Sequence, residues 1–330
     1  MLGILSMKNT IGIIANPQSG RDIRRLVAHA SVFDNMEKVN IVERLLSTFE
    51  QLGVKEVLAM PDGFGIVEAA LYHLGKLKLE VKLLDMPVFD NWEDTYMAAR
   101  LMQEECDVIV VIGGDGTNRI VAKAGGDTPI VPISTGTNNV FPYMIEATVA
   151  GEAAASIALG VVRKEEVSKK SKKIELFENE TLKDVALVDV AVTGYSFVGA
   201  RAIWEPQRIL ELIISKGSPS NIGLSSIGGV LSEIDDQDVG LYIEFGKGRK
   251  IRAPISPGML SELEIEDFRV FPLGEMLNVK NSNALVALDG EREAIIEGKI
   301  TARIVRDGPA VVDYKKALSL AAKRGLFSVD

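Results

Sequence analysis

The stretch "DVIVVIGGDGTNRIVAKA", residues 107–124, constrains the fold more than any other part of this 330-residue chain. Val108–Ile112 are consecutive β-branched residues with no polar interruption, the texture of a strand buried on both faces of a parallel sheet. Two glycines, an aspartate and a third glycine follow, and helical spacing then resumes. A carboxylate at the end of so buried a strand is costly unless something there uses it.

The residues before it repeat the same alternation. Ile11–Ala15 reads as a first strand ending at Asn16-Pro17, and Val42, Leu45, Leu46 and Phe49 share one helical face. Lys55–Met60 reads as a strand, Ile66–Leu74 as a helix, Glu80–Leu84 as a strand and Glu93–Glu104 as a helix. This order predicts a doubly wound α/β domain with a mostly parallel sheet over residues 1–145, with ligands at the carboxyl ends of its strands. From about residue 172 the runs shorten and several alternate apolar with polar. That texture predicts a mostly antiparallel β domain over residues 146–312, with a helix around Ile203–Ile214. Helical spacing returns at the end, so a helix over 313–325 is expected to pack back on the first domain. The charge run Arg163–Lys173 is expected to be a solvated linker at the domain junction.

Composition removes several functions. A length of 330 residues favours two domains over one. The formal charge of −9 argues against nucleic acid as the main partner. An anionic ligand must then be met by local basic residues, backbone N–H groups or a metal. The single cysteine, Cys106, excludes an internal disulfide and reads as a structural thiol in a reducing compartment. Two histidines, His29 and His73, give little material for a His-rich metal site or a Ser-His-Asp triad. No apolar run has the length of a membrane helix, and the first residues lack a basic, cleavable leader. A cytoplasmic protein is expected, with no membrane or nucleic-acid partner and a homo-oligomer left open.

Gly113 and Gly114 free the backbone to approach a bulky anion and to take positive φ. Thr117 is a good N-cap for a helix whose first N–H groups and dipole favour an anion. Asp115 cannot bind phosphate itself, because like charges repel. A carboxylate beside phosphates acts as a general base for an acceptor hydroxyl, as a ligand to Mg²⁺, or as both. The structural alternative is a tight strand-to-helix turn in which Asp115 only caps the helix.

"GGDGT" in this context resembles the signature of the superfamily of NAD kinases, diacylglycerol and sphingosine-type lipid kinases, and AcoX-like proteins of acetoin-catabolism operons. "IIANPQSG" (Ile13–Gly20) is similar to the Asn-Pro-x-x-Gly turn of these kinases, "ISTGTNNVF" (Ile133–Phe141) to the Asn-Thr-Gly-Thr-Leu-Gly-Phe stretch of NAD kinases, and "LDGE" (Leu288–Glu291) to their later Asp-Gly element. The resemblance implies an NAD kinase-like fold, an α/β domain followed by a mostly antiparallel β-sandwich domain, with its site in the cleft between them. It implies ATP and Mg²⁺ as cofactors and a small-molecule hydroxyl as acceptor, with NAD, converted to NADP, the first candidate. Asp115 would face that cleft as catalytic base and Mg²⁺ ligand. Asn16, Gly20, Gly113, Gly114, Gly116 and Thr117 would hold nucleotide phosphates, with Arg21, Arg24 and Arg25 nearby. Thr135, Gly136, Thr137, Asn138, Asn139 and Asp189 would contact nucleotide or acceptor, and Asp289 and Glu291 would form a second acidic site. Asp289-Gly290 is equally a hairpin signal.

Two departures qualify the acceptor. Ser134 replaces an Asn of the NAD kinases, and Asn138-Asn139 replace Leu-Gly. Val188-Asp189 stands where NAD kinases carry Asn-Glu, and valine cannot replace the amide. An AcoX-like kinase with a non-NAD acceptor and a non-catalytic nucleotide sensor are therefore carried alongside. A lipid kinase is less favoured, since no stretch reads as membrane-facing.

Overall fold

The computed structural model describes residues 8–20, 33–136, 138–194, 208–281, 284–296 and 298–329, with 291–296 described by backbone alone. Along the chain come β1 (Thr10–Ala15), α1 (Asn35–Leu52), β2 (Glu56–Ala59), α2 (Ile66–Leu74), β3 (Glu80–Leu83) and α3 (Trp92–Glu105). β4 (Val108–Gly113), α4 (Asp115–Ala124), β5 (Ile130–Ser134) and α5 (Ala147–Ala158) follow. The five strands lie parallel in the order β3-β2-β1-β4-β5. The order reverses between β1 and β4, the place where open sheets of this kind bind ligands, outside the carboxyl ends of the strands.

Burial explains the unbroken apolar run of β4. Val108, Val110 and Ile112 face the core under α1, α2 and α5, while Ile109 and Val111 face the one under α3 and α4. Cys106 joins the second of these, and burial pushes its thiol up to about 12, as expected of an inert structural cysteine.

The chain then passes through α6 (Lys164–Val167) and β6 (Ser168–Lys170) into β7 (Lys173–Glu178), β8 (Thr181–Ala186), β9 (Asp189–Thr193) and β10 (Ile209–Ile214). Next come α7 (Leu224–Leu231), β11 (Val239–Ser256), β12 (Met259–Pro272), β13 (Met276–Asn278), β14 (Ala284–Leu288), β15 (Glu291–Ile296) and β16 (Ile300–Val305). These strands make an antiparallel sandwich, with sheets β12-β11-β10-β9-β14-β15 and β13-β16-β7-β8. Ile174, Val190, Val192, Ile213, Phe271 and Ile304 fill the space between them. α7 covers the outer face of the larger sheet with Leu224 and Ile227. Finally β17 (Ala310–Val312) returns to the first sheet beside β5, and α8 (Tyr314–Lys323) buries Ala317 and Ala321 in the core shared with α5.

Three expectations are corrected. Residues 209–214 are a strand, not part of a helix; "ILELII" is buried in mid-sheet, and so short an apolar run does not tell helix from strand. Residues 203–207 lie outside the described residues. The charge run 163–173 is not a solvated linker, because β6 pairs with β17 and Lys172 is buried, its Nζ donating to the carbonyls of Ile234, Gln237 and Val239 at 2.7, 3.0 and 3.0 Å. The sheets divide the chain after Lys170 and before Ala310 rather than at residue 145.

Candidate active site

The loops after β1, β4 and β5 meet at the carboxyl edge of the parallel sheet. α4 begins at Asp115 with Gly114 as its N-cap, so Thr117 lies inside the first turn and not at the cap. Neither Gly113 nor Gly114 takes positive φ. What they provide is clearance: a Cβ on Gly113 would sit 2.5 Å from the Thr117 side chain, and one on Gly114 2.8 Å from Asn139 Oδ1. The first-turn N–H groups of α4 have no intrahelical acceptor, the arrangement that favours an anion above the turn.

Asn16 begins the turn after β1. Its N–H donates to the Ile112 carbonyl at 3.1 Å and its Nδ2 to Thr117 Oγ1 at 2.9 Å, tying this turn to α4. Gly20 closes it at φ 76°, where a Cβ would also meet the Phe33 carbonyl at 2.6 Å. Lys38, fully buried on α1, supports the turn from below. Its Nζ donates to the carbonyls of Asn16, Pro17 and Ser19 at 2.8, 3.3 and 2.8 Å and to Asn35 Oδ1 at 3.0 Å. After β5, Ser134 Oγ donates to the Gly136 carbonyl at 2.8 Å and accepts from Asn139 Nδ2 at 2.9 Å. Thr135 Oγ1 and Asn138 Oδ1 are buried with no hydrogen-bond partner among the described residues. Arg21, Arg24, Arg25 and Thr137 lie outside the described residues, as does the Glu291 side chain.

The Asp115 carboxylate turns neither onto its own backbone nor out into an open cleft. It accepts from the N–H of Val140 at 3.0 and 3.1 Å and of Phe141 at 2.8 Å, and the residue is 9% exposed. The second domain supplies another acid to the same place. Asp289 and Gly290 turn the β14–β15 hairpin at φ 51° and 78°, yet the Asp289 carboxylate is buried and accepts from Leu187, Val188 and Asp189 N–H at 3.0, 2.7 and 3.3 Å. Burial pushes the Asp289 carboxyl up to about 7, with Arg119 opposing and the charge of Asp115 adding to the shift. Arg119, on α4, reaches across the domain boundary, its Nε 3.8 Å from Asp289 and its Nη1 3.6 Å from Asp184. Asp189 is buried at the start of β9, while Val188 is 1% exposed and belongs to the apolar cluster that holds Ile14, Val111 and Phe141.

Lys38 and Arg119 are the site residues that sequence reasoning missed. Both left a periodic signal. Lys38 falls on the apolar stripe of Val42, Leu45 and Phe49, and Arg119 lies one helical turn after Asp115.

Residues 11–162 match the family described as the ATP-NAD kinase N-terminal domain, and residues 172–307 match the acetoin catabolism protein X C-terminal domain. Acetoin catabolism protein X of Cupriavidus necator is 38% identical over 299 residues, covering 86% of this chain and 83% of that protein. The chain belongs to the acetoin catabolism protein X family. Among solved structures, an NAD kinase from Archaeoglobus fulgidus in complex with ATP is 18% identical at a TM-score of 0.45, covering 83% of this chain and 99% of its own. A diacylglycerol kinase from Bacillus anthracis is 12% identical at a TM-score of 0.42, covering 92% and 96%. Among the described residues, no helix is long and apolar enough to cross a membrane.

Proposed function

We propose that this chain is an ATP-dependent kinase that transfers a phosphoryl group to a hydroxyl of a small molecule. The observation that carries this reading is the place of Asp115, a backbone-oriented carboxylate at the reversal point of the parallel sheet, beside the first-turn N–H groups of α4. Those N–H groups and the Asn16–Gly20 turn hold the triphosphate. Asp115 takes the proton of the acceptor hydroxyl, and Thr135 and Asn138 offer buried oxygens for nucleotide or acceptor hydrogen bonds. Positioning and charge neutralisation supply most of the acceleration in such transfers.

No three metal-ligating side chains gather among the described residues. Mg²⁺ in phosphoryl-transfer sites needs only one or two protein carboxylates, with phosphate oxygens and water completing its shell. Asp115 fits that role and would hold Mg²⁺, which when bound offsets phosphate charge.

NAD is the first acceptor to test, because residues 11–162 match the ATP-NAD kinase N-terminal domain. One observation favours a second reading, a metabolite kinase with another acceptor. The position that resembles the Asn of NAD kinases is Val188, and it is packed in an apolar cluster. Incubation with ATP, Mg²⁺ and NAD separates the two: NADP formation supports the first, and ADP release only with other alcohols supports the second. ATP binding without ADP release against a broad hydroxyl panel would make the chain a nucleotide sensor and overturn the kinase reading.

A further inference from the structure

Lys216 plays no part in the site as described, yet it reaches that site from the second domain. It follows β10, whose Ile214 pairs with Asp189 of β9, while the Asp289 N–H donates to the Asp189 carbonyl at 2.9 Å. One end of the larger sandwich sheet thus gathers Asp189, Lys216 and Asp289. The backbone around Lys216 is fixed: Ser215 N–H donates to the Val188 carbonyl at 2.8 Å, Ile234 N–H to the Gly217 carbonyl at 2.9 Å, and Ser225 Oγ to the Lys216 carbonyl. From there the side chain crosses to the first domain and sets its Nζ 5.3 Å from the centre of the Phe141 ring. Phe141 is the residue whose N–H donates to Asp115.

The charges around it differ in how they are used. Arg119 is committed to Asp184 and Asp289. Lys172 is committed to three carbonyls. Lys216 is half-buried in a region that holds Asp115, Asp189 and Asp289, but among the described residues it forms no ion pair within 4.0 Å. A cation carried across a domain boundary to the ring of the residue whose N–H holds Asp115, and matched to no acid among the described residues, suits an anion that arrives with the ligand.

We propose that Lys216 binds the transferable γ-phosphoryl group of ATP from the second-domain side. The inference rests on the kinase reading and extends it. In the transfer, the bond from the γ-phosphorus to the ADP oxygen breaks as the bond to the acceptor oxygen forms. The hydroxyl proton passes to Asp115. Lys216 donates hydrogen bonds to the non-bridging oxygens and keeps its proton throughout.

Calorimetric titration of the full chain, of Lys216→Gln and of Lys216→Arg with Mg·ATP and with Mg·ADP tests this. A charge-assisted hydrogen bond to the terminal phosphate predicts that Lys216→Gln weakens ATP binding by about tenfold or more while ADP binding is unchanged. Lys216→Arg should recover most of the preference for ATP. Equal weakening for both nucleotides would assign Lys216 a structural role and overturn the inference, as would unchanged ATP binding. Absence of ATP binding by the unsubstituted chain would instead overturn the kinase reading itself.

Discussion

Asp115 and Asp289 occupy related positions in different domains. Each follows a buried strand at a turn that contains glycine, and each has its carboxylate held by backbone N–H groups of a neighbouring segment, Val140–Phe141 in one case and Leu187–Asp189 in the other. What lies beyond the turn differs. Asp115 opens a helix, its own N–H donating to Asn139 Oδ1 at 3.4 Å and those of Gly116 and Thr117 having no intrahelical acceptor, whereas Asp289 precedes a hairpin strand and its side chain is sealed from solvent. A cradle of backbone amides therefore does not by itself assign a carboxylate to chemistry. Exposure barely separates the two residues, 9% against 6%, so the surroundings of each turn are what differ, and Arg119 carries α4 across the boundary to Asp289.

The comparison breaks most sharply at Asp115→Asn, which keeps the shape and removes the proton acceptor. Turnover read by ADP release should fall by about 10²- to 10⁴-fold with ATP binding retained. Near-normal turnover would take Asp115 out of the mechanism.

Asp289 should show itself through pH instead. Its folded-state value lies above the ordinary 3.8, so the folded chain holds this proton when the unfolded chain has released it. Stability is then lost as pH rises from about 4 to about 7, on the order of 4 kcal/mol at ~1.4 kcal/mol for each pH unit. Asp289→Asn, neutral throughout, should flatten that slope in urea unfolding. An unaltered slope would assign the pH dependence to another group.

The first-domain half of the comparison also depends on Lys38. Lys38→Met leaves the Asn16 and Ser19 carbonyls without their buried donor, a loss of about 3 kcal/mol in urea unfolding. A change within about 0.5 kcal/mol would show that the turn does not need the amine.

The smallest effects separate the glycines of the two turns. Gly113→Ala should cost about 2 kcal/mol, because its Cβ would press on Thr117 at 2.5 Å. Gly290→Ala should cost about 1 kcal/mol, because its left-handed φ of 78° opposes a Cβ. Asparagine, which tolerates that region, should be accepted better at 290 than at 113. Equal tolerance of Asn at the two positions would contradict these separate roles.

Much of the fold could be read before any coordinates. Val108–Ile112 has no polar face, so it had to lie between two helical layers, and the strand–helix alternation before it leaves few topologies. Ile66–Leu74 was expected as a helix with the ends it has. Residues 209–214 were misread because a strand buried on both faces has no two-residue period to show. Arg163–Lys173 was misread because charge density says nothing of whether the backbone is paired; β6 finds its partner in β17, about 140 residues later in the chain. The two turns that meet at Asn16 and Thr117 were legible as turns because each is a local turn after a local strand.

By itself the sequence determined the two-domain order, the buried parallel strand and the acid that ends it, because strand period, glycine turns and charge act over a few residues. Only the tertiary structure decided that Val140 and Phe141 hold Asp115, that Lys38 lies under Asn16, and that Arg119 and Lys216 come to one boundary with Asp289. Those contacts join residues from about 20 to 170 positions apart. They exist because packed sheets and crossing chains close the distance, which no local period can encode.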